Sequence, residues 1–118
     1  MNIVILSGIV ARPPEQRSLP NGTEVLGIEL VTGAGGTGSS SVPVVWPAPP
    51  ERALADLGAR TEVVALGRVH RRFFRVGGIT QSRTEVVAEA VVPAADRRRA
   101  NRLLKRGVDA VGGRSPSG

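Results

Sequence analysis

The residues with most chemistry to offer lie together, in Gly67-Arg68-Val69-His70-Arg71-Arg72-Phe73-Phe74-Arg75. This stretch holds four basic residues, both phenylalanines and the only histidine. Along a β-strand, successive side chains point to opposite faces. Arg68, His70, Arg72 and Phe74 therefore share one face, and Gly67, Val69, Arg71 and Phe73 the other. The first set is a cationic row ending in an aromatic ring. Guanidiniums suit phosphates and a flat π-face suits a base, the two things single-stranded nucleic acid requires. An edge strand charged against aggregation would show the same row. The rest of the chain has to decide.

Other reactive chemistry is sparse. There is no cysteine, which removes disulfides, thiolate metal sites and cysteine nucleophiles. One histidine cannot assemble a metal site with others of its kind, and no carboxylate pair sits at a diagnostic spacing. No catalytic residue, metal or cofactor is expected, so the chain does not read as an enzyme. His70 reads as a polar strand residue on the cationic face. The glycine-rich segment GAGGTGSSS at 33–41 lacks the Lys-Ser/Thr pair of a phosphate-binding loop. It is expected to be a flexible hairpin tip.

The electrostatics are local. The net charge is +6, yet residues 1–94 carry nine arginines against eight acids. Residues 95–118 carry seven Lys and Arg against two Asp. Within the body, Arg68, Arg71, Arg72, Arg75 and Arg83 follow one another with no acid between them. One basic stripe and one basic tail thus dominate the field.

The elements that position this stripe read as short strands. At 118 residues one domain is expected, and 15 Gly and 9 Pro favour strands joined by turns. Residues 2–11 form a β-branched first strand, with Gly8 marking a bulge or a close backbone approach. The apolar run after Asn2 has no basic leader and is too short to span a bilayer. A cytoplasmic location without membrane contact is expected. Arg12-Pro13-Pro14 ends the strand, and Leu19-Pro20-Asn21-Gly22 is a turn signal. Residues 23–32 alternate, with Leu26, Ile28 and Leu30 opposing Val25, Gly27, Glu29 and Val31. Strands at 42–46, 61–74 and 81–92 follow, with a two-turn helix at 51–57 before the fourth. Asp96 is placed to cap a short basic helix over 97–106, which has too little apolar face to dock firmly. The division expected is a domain at 1–94 and a loosely ordered basic tail at 95–118. Three strands, a helix and two strands give an all-β class, the five-stranded Greek-key barrel known as the OB-fold.

The chain also resembles bacterial single-stranded DNA-binding proteins. The likeness begins with Asn2-Ile3-Val4-Ile5-Leu6-Ser7-Gly8, Arg12-Pro13-Pro14-Glu15 and Pro20-Asn21-Gly22-Thr23. It continues through Ile28-Glu29-Leu30, Val44-Val45-Trp46, Leu57-Gly58 and Val63-Val64-Ala65-Leu66-Gly67-Arg68-Val69, and closes with Arg83-Thr84-Glu85-Val86-Val87-Ala88. It spans residues 2–92. The resemblance implies an OB-fold protomer that assembles through its sheets, as a tetramer by preference and otherwise as a dimer. It further implies sequence-independent binding of single-stranded DNA in replication, recombination or repair. By position, Trp46 and Phe74 match stacking aromatics, and Arg68 and Arg72 lie on the face of Phe74; Trp46 also shares the face of Val44, which leaves a place in the core as its alternative. Arg12, His70, Arg75 and Arg83 complete the candidate nucleic-acid-binding set. Phe73 is expected to pack inward or against a partner subunit.

The departures are equally informative. The family's further aromatics between the second and third strands are replaced by glycine and serine, and tyrosine is absent. The acidic C-terminal tip that recruits repair enzymes is replaced by a basic tail, so such recruitment is not expected. The chain reads as a short, divergent relative. Two alternatives stay open: a primosomal OB-fold protein of replication restart, and an OB-fold adaptor whose partner is protein.

Overall fold

In the computed structural model, the described residues are 2–33, 38 and 40–112. The strands are β1 (Val4–Val10), β2 (Glu15–Ser18), β3 (Glu24–Thr32), β4 (Ser40–Pro47), β5 (Glu62–Val76) and β6 (Ile79–Pro93). A one-turn helix, α1 (Ala53–Asp56), precedes β5, and α2 (Arg97–Gly112) follows β6. Five strands close a ring in the order β1-β5-β6-β4-β3, sealed by β1 pairing with β3 at Ile9–Val31 and Val10–Leu30. The β4–β6 contact is parallel and the others are antiparallel. This is the OB-fold expected from the sequence.

Alternation fills the barrel. Leu26, Ile28 and Leu30 of β3 meet Val44 and Trp46 of β4, Val63 and Ala65 of β5, and Val86, Ala88 and Val91 of β6. Ala53 and Leu57 of the α1 segment join the same core. Gly8 marks the closure. A Cβ there would lie 2.9 Å from the Val31 carbonyl oxygen, so only glycine lets β3 approach β1 so closely.

Three features differ from the sequence expectation. First, a short strand, β2, stands between the Arg-Pro-Pro break and the Asn-Gly turn, and it pairs with β3 outside the ring. All four of its residues are exposed, so no burial pattern announces it. Second, α1 has one turn rather than two. Third, α2 runs for 16 residues and docks, where a loosely attached tail is expected. Its Ala100 and Leu103 are buried against Val64, Leu66 and Val92 on the outer sheet surface. Gly107 allows the close approach, since a Cβ there would come within 2.7 Å of the Ile5 side chain. The N-terminus is tied down as well. Asp96 accepts from the Arg99 amide at 3.2 Å, capping the helix, and the Arg99 guanidinium bonds Asp56 beside α1 at 2.9 Å. That hydrogen bond is the main reason the Arg99 guanidinium holds its proton more tightly than usual. A few small apolar residues suffice because the helix lies almost on the sheet. The end of the expected tail, at 113–118, lies outside the described residues, as does most of the glycine-rich loop.

Beyond the barrel, β5 and β6 continue together as a two-stranded arm. Its turn is Gly77-Gly78, both at positive φ (58° and 81°), which matches the right-handed twist of the strands. The arm leaves at an irregularity: Leu66 pairs with Ala90 but Gly67 with Ala88, so Glu89 is an extra residue in β6. A Cβ on Gly67 would sit 2.2 Å from the Val87 carbonyl oxygen. The Asn2 side chain clasps the same place, donating to the Val69 carbonyl at 2.7 Å and accepting from the Val69 amide at 2.9 Å.

Two stability predictions result. Gly67→Ala should destabilise by ~1–3 kcal/mol, because backbone rather than a flexible side chain has to move; urea unfolding with an unchanged midpoint would refute the close approach. Leu103→Ala should cost ~2–5 kcal/mol if α2 is a true second core. A loss below about 0.5 kcal/mol in the same assay, the range of ordinary surface substitutions, would show the helix hanging free.

Candidate nucleic-acid interface

Direct cross-strand partners lie on the same face of a ladder. On the outer face of the arm, Arg68 is opposite Val87, His70 opposite Glu85, Arg72 opposite Arg83, and Phe74 opposite Gln81. The alternation expected for Arg68, His70, Arg72 and Phe74 therefore holds in the structure. The Arg72 guanidinium carbon lies 5.7 Å from the centre of the half-buried Phe74 ring, within cation–π range.

The face continues beyond the arm. Arg72, Arg83 and Glu85 form one wall of a cleft that passes over Val45 and Pro43 of β4 and Gly27 and Glu29 of β3. Arg12, Glu15 and Arg17 line the far side of this open cleft, whose volume is about 180 Å³. Glu85 is only 7 % exposed, the one buried charged residue among those described.

The two sides of the cleft differ in electrostatics. On the far side, Arg12 is bound to Glu29 at 2.9 Å, and Ser41 donates to the other oxygen of that carboxylate at 2.5 Å. The Ser41 hydrogen bond chiefly holds Glu29 below its ordinary carboxylate range, helped by Arg12 and more distantly by Arg83, against an opposing contribution from desolvation. On the arm side, Arg68, Arg71, Arg72, Arg75 and Arg83 have no carboxylate within 4.0 Å among the described residues. Two of them, Arg72 and Arg83, are directly opposed like charges, a destabilising cross-strand pair in isolation.

Of the candidates named from sequence, Arg12, Arg72 and Arg83 line the cleft, and Arg68, His70 and Phe74 share its face of the arm. Arg75 stands on the opposite face, with its guanidinium donating to the Gly78 carbonyl at 3.0 Å. Trp46 is a correction. It is 5 % exposed and part of the barrel core, because it shares the inward parity of Val44. Its ring offers no surface for stacking. Glu29, Ser41 and Gly27 were absent from the expected set. The alternation of residues 23–32 already put Gly27 and Glu29 on the outward side, but the strand beside them was not foreseen.

No protein-family model and no curated protein matches the chain. Among solved structures, the chain is similar to a protein of Plasmodium falciparum described as an SSB complex with ssDNA. The TM-score is 0.67 at 16 % identity, covering 79 % of this chain and 94 % of that one. At that identity the likeness concerns the fold, which it supports independently of the strand order.

The Glu29 linkage has a testable pH signature. Its depressed ionisation means the Ser41 and Arg12 contacts add stability above the ordinary carboxylate range and lose it as pH falls through the lowered value. In an NMR titration, Ser41→Ala should raise the Glu29 midpoint toward the ordinary value. An unmoved midpoint would mean Arg12 alone sets it.

Proposed function

We propose that this chain binds single-stranded DNA without sequence preference, across the outer face of the arm and the adjoining cleft. The observation that carries the reading is the opposed pair Arg72 and Arg83, neither with an acidic partner, beside the Phe74 ring. A phosphate between the two guanidiniums turns a repulsion into two charge-assisted contacts. Phe74 then offers a stacking platform next to that phosphate. Arg12 contributes less, because a phosphate has to compete with Glu29 for it.

Three further lines support the reading. The sequence resembles bacterial single-stranded DNA-binding proteins over residues 2–92, the fold is similar to that of a protein solved with ssDNA, and residues 68–83 carry five arginines without an acid. Membership of the bacterial family, a role in replication, recombination or repair, action as a homo-oligomer (a tetramer by that resemblance) and a place at the nucleoid belong to the same proposal. No described helix is long and apolar enough to cross a membrane. With Trp46 in the core, stacking rests on phenylalanine, which favours a binder that depends strongly on salt.

Titration of oligo-dT at several salt concentrations tests this. Arg72→Ala and Arg83→Ala should each flatten the slope of log K against log salt by roughly 0.7. The same substitutions should leave thermal stability unchanged or raise it, because each removes a like-charge neighbour. Phe74→Ala should weaken binding by ~1–3 kcal/mol. No detectable binding by the unaltered protein at low salt would overturn the proposal.

A further inference from the structure

The opposite face of the arm is also built in an unusual way. Arg71 is opposite Thr84, Phe73 opposite Ser82, and Arg75 opposite Thr80. Phe73 is 66 % exposed, the most exposed large hydrophobic among the described residues. Its neighbours along the strand are guanidiniums, and its neighbours across the strand are hydroxyls. Neither arginine has a carboxylate within 4.0 Å among the described residues. Arg75 gives one N–H to the Gly78 carbonyl, which holds its head at the turn and leaves its other donors open.

Two explanations of an exposed phenylalanine fail on this composition. It cannot be core, since β5 has left the barrel before Phe73 and no apolar residue stands opposite it. A subunit contact gathers arginine as well as aromatic rings, but it packs those rings against further apolar residues and is poor in serine. Here an arginine lies on each side and three hydroxyls face them. A ring with a free face, two cations two residues away along the strand, and a row of small donors make a surface for a base, its phosphates and its sugars.

We infer that this face is a second single-strand-binding row, centred on Phe73 between Arg71 and Arg75. The inference rests on the proposed function, since it adds a surface for the same class of ligand. The two rows cannot serve the same nucleotides. Phe74 and Phe73 point to opposite sides of a two-stranded ribbon, so a base on one is out of reach of the other. The arm is therefore gripped on both sides, and nucleotides beyond those in the cleft are held by the second row.

The test uses the full chain and oligo-dT long enough to pass the arm, with affinity, salt slope, thermal midpoint and assembly size measured together. Phe73→Ala and Phe73→Leu should each weaken binding about fivefold or more, while Phe73→Trp retains it. Arg71→Ala should flatten the salt slope by roughly 0.7. Thermal midpoint and assembly size should not change, and a strand carrying 5-iodouracil should photo-crosslink to Phe73. Wild-type affinity in Phe73→Leu would overturn the inference, because apolar bulk without a ring would then be enough. A smaller assembly in Phe73→Ala would equally overturn it and make Phe73 a subunit contact. If only the Arg72, Arg83 and Phe74 variants lose binding, the second row falls and the proposed function stands. If the unaltered protein does not bind, both fall.

Discussion

The fold's most consequential constraint is the close approach of Gly67 to the Val87–Ala88 backbone, where β6 carries the extra residue Glu89. A strand with one residue added changes which of its side chains face inward. Below the irregularity, Val91 points into the barrel and Val92 lies under α2. Above it, Ala88 and Val86 point inward, and Val87, Glu85 and Arg83 point out. Continued without the extra residue, the ladder would set Arg83 opposite Phe73 and Glu85 opposite Arg71. The opposed arginines would be separated and a cross-strand ion pair would appear on the other face. The cationic outer face thus depends on one glycine without a side chain and one residue without a partner. Asn2 secures the same junction by giving Val69 the two hydrogen bonds a neighbouring strand would otherwise supply.

On either side of this junction β5 obeys different rules. From Val63 to Leu66 both faces are buried, the barrel taking Val63 and Ala65 and α2 taking Val64 and Leu66. Past Gly67 the strand is solvated on both faces, apart from the half-buried Phe74. Several basic residues outside the arm have acidic partners. In and around the helices, Arg52 and Arg99 bind Asp56, Arg106 binds Glu89, and Lys105 binds Asp109. The ion pair of Arg99 is half-buried and ties α2 to the α1 segment. The others are exposed pairs of the kind that contribute little to stability. The arm has no such compensation. Arg97, Arg98 and Arg102 of α2 likewise have no carboxylate within 4.0 Å among the described residues, so what sets the arm apart is that its arginines share an exposed ribbon with Phe73 and Phe74.

The barrel was legible in the sequence because its signals are local. Alternation in β3, the Asn-Gly turn and the proline break each decide a few residues, and the strand order is what those elements require. The parity of Arg68, His70, Arg72 and Phe74 was legible for the same reason, since β5 itself carries no extra residue. Signals that depend on a neighbour were harder to read. Trp46 shares the parity of Val44, so its burial was available, but its resemblance to a stacking aromatic pointed outward. The sequence of β2, Glu-Gln-Arg-Ser, has no apolar face and becomes a strand only because the edge of β3 is open. The docking of α2 was hidden by counting large side chains. Small residues at Ala100 and Gly107 let a helix lie close, and the unbroken apolar run Val63-Val64-Ala65-Leu66 already required cover on both sides.

The remaining asymmetry concerns where an anion would be held, and it follows from the positions of the carboxylates. Glu29 lies on the β3 side of the cleft, where Ser41 and Arg12 fix its charge, so that side is close to neutral. Glu85 is the acid nearest to the opposed arginines along β6, yet it is almost fully buried and lies two pairs nearer the barrel, opposite His70. Neither carboxylate forms an ion pair with Arg72 or Arg83, although Arg83 acts on Glu29 at longer range. Between the arm and β2 the face is shallow, and Gly27, Pro43 and Val45 on its floor carry no charge and no long side chain. Under the proposed function, a flexible polyanion on that surface would meet its strongest contacts at the arm and its weakest where Arg12 is already occupied. The uncharged stretch of floor between them suits a flat, apolar group, a property common to every base, and so agrees with the proposed binding without regard to sequence.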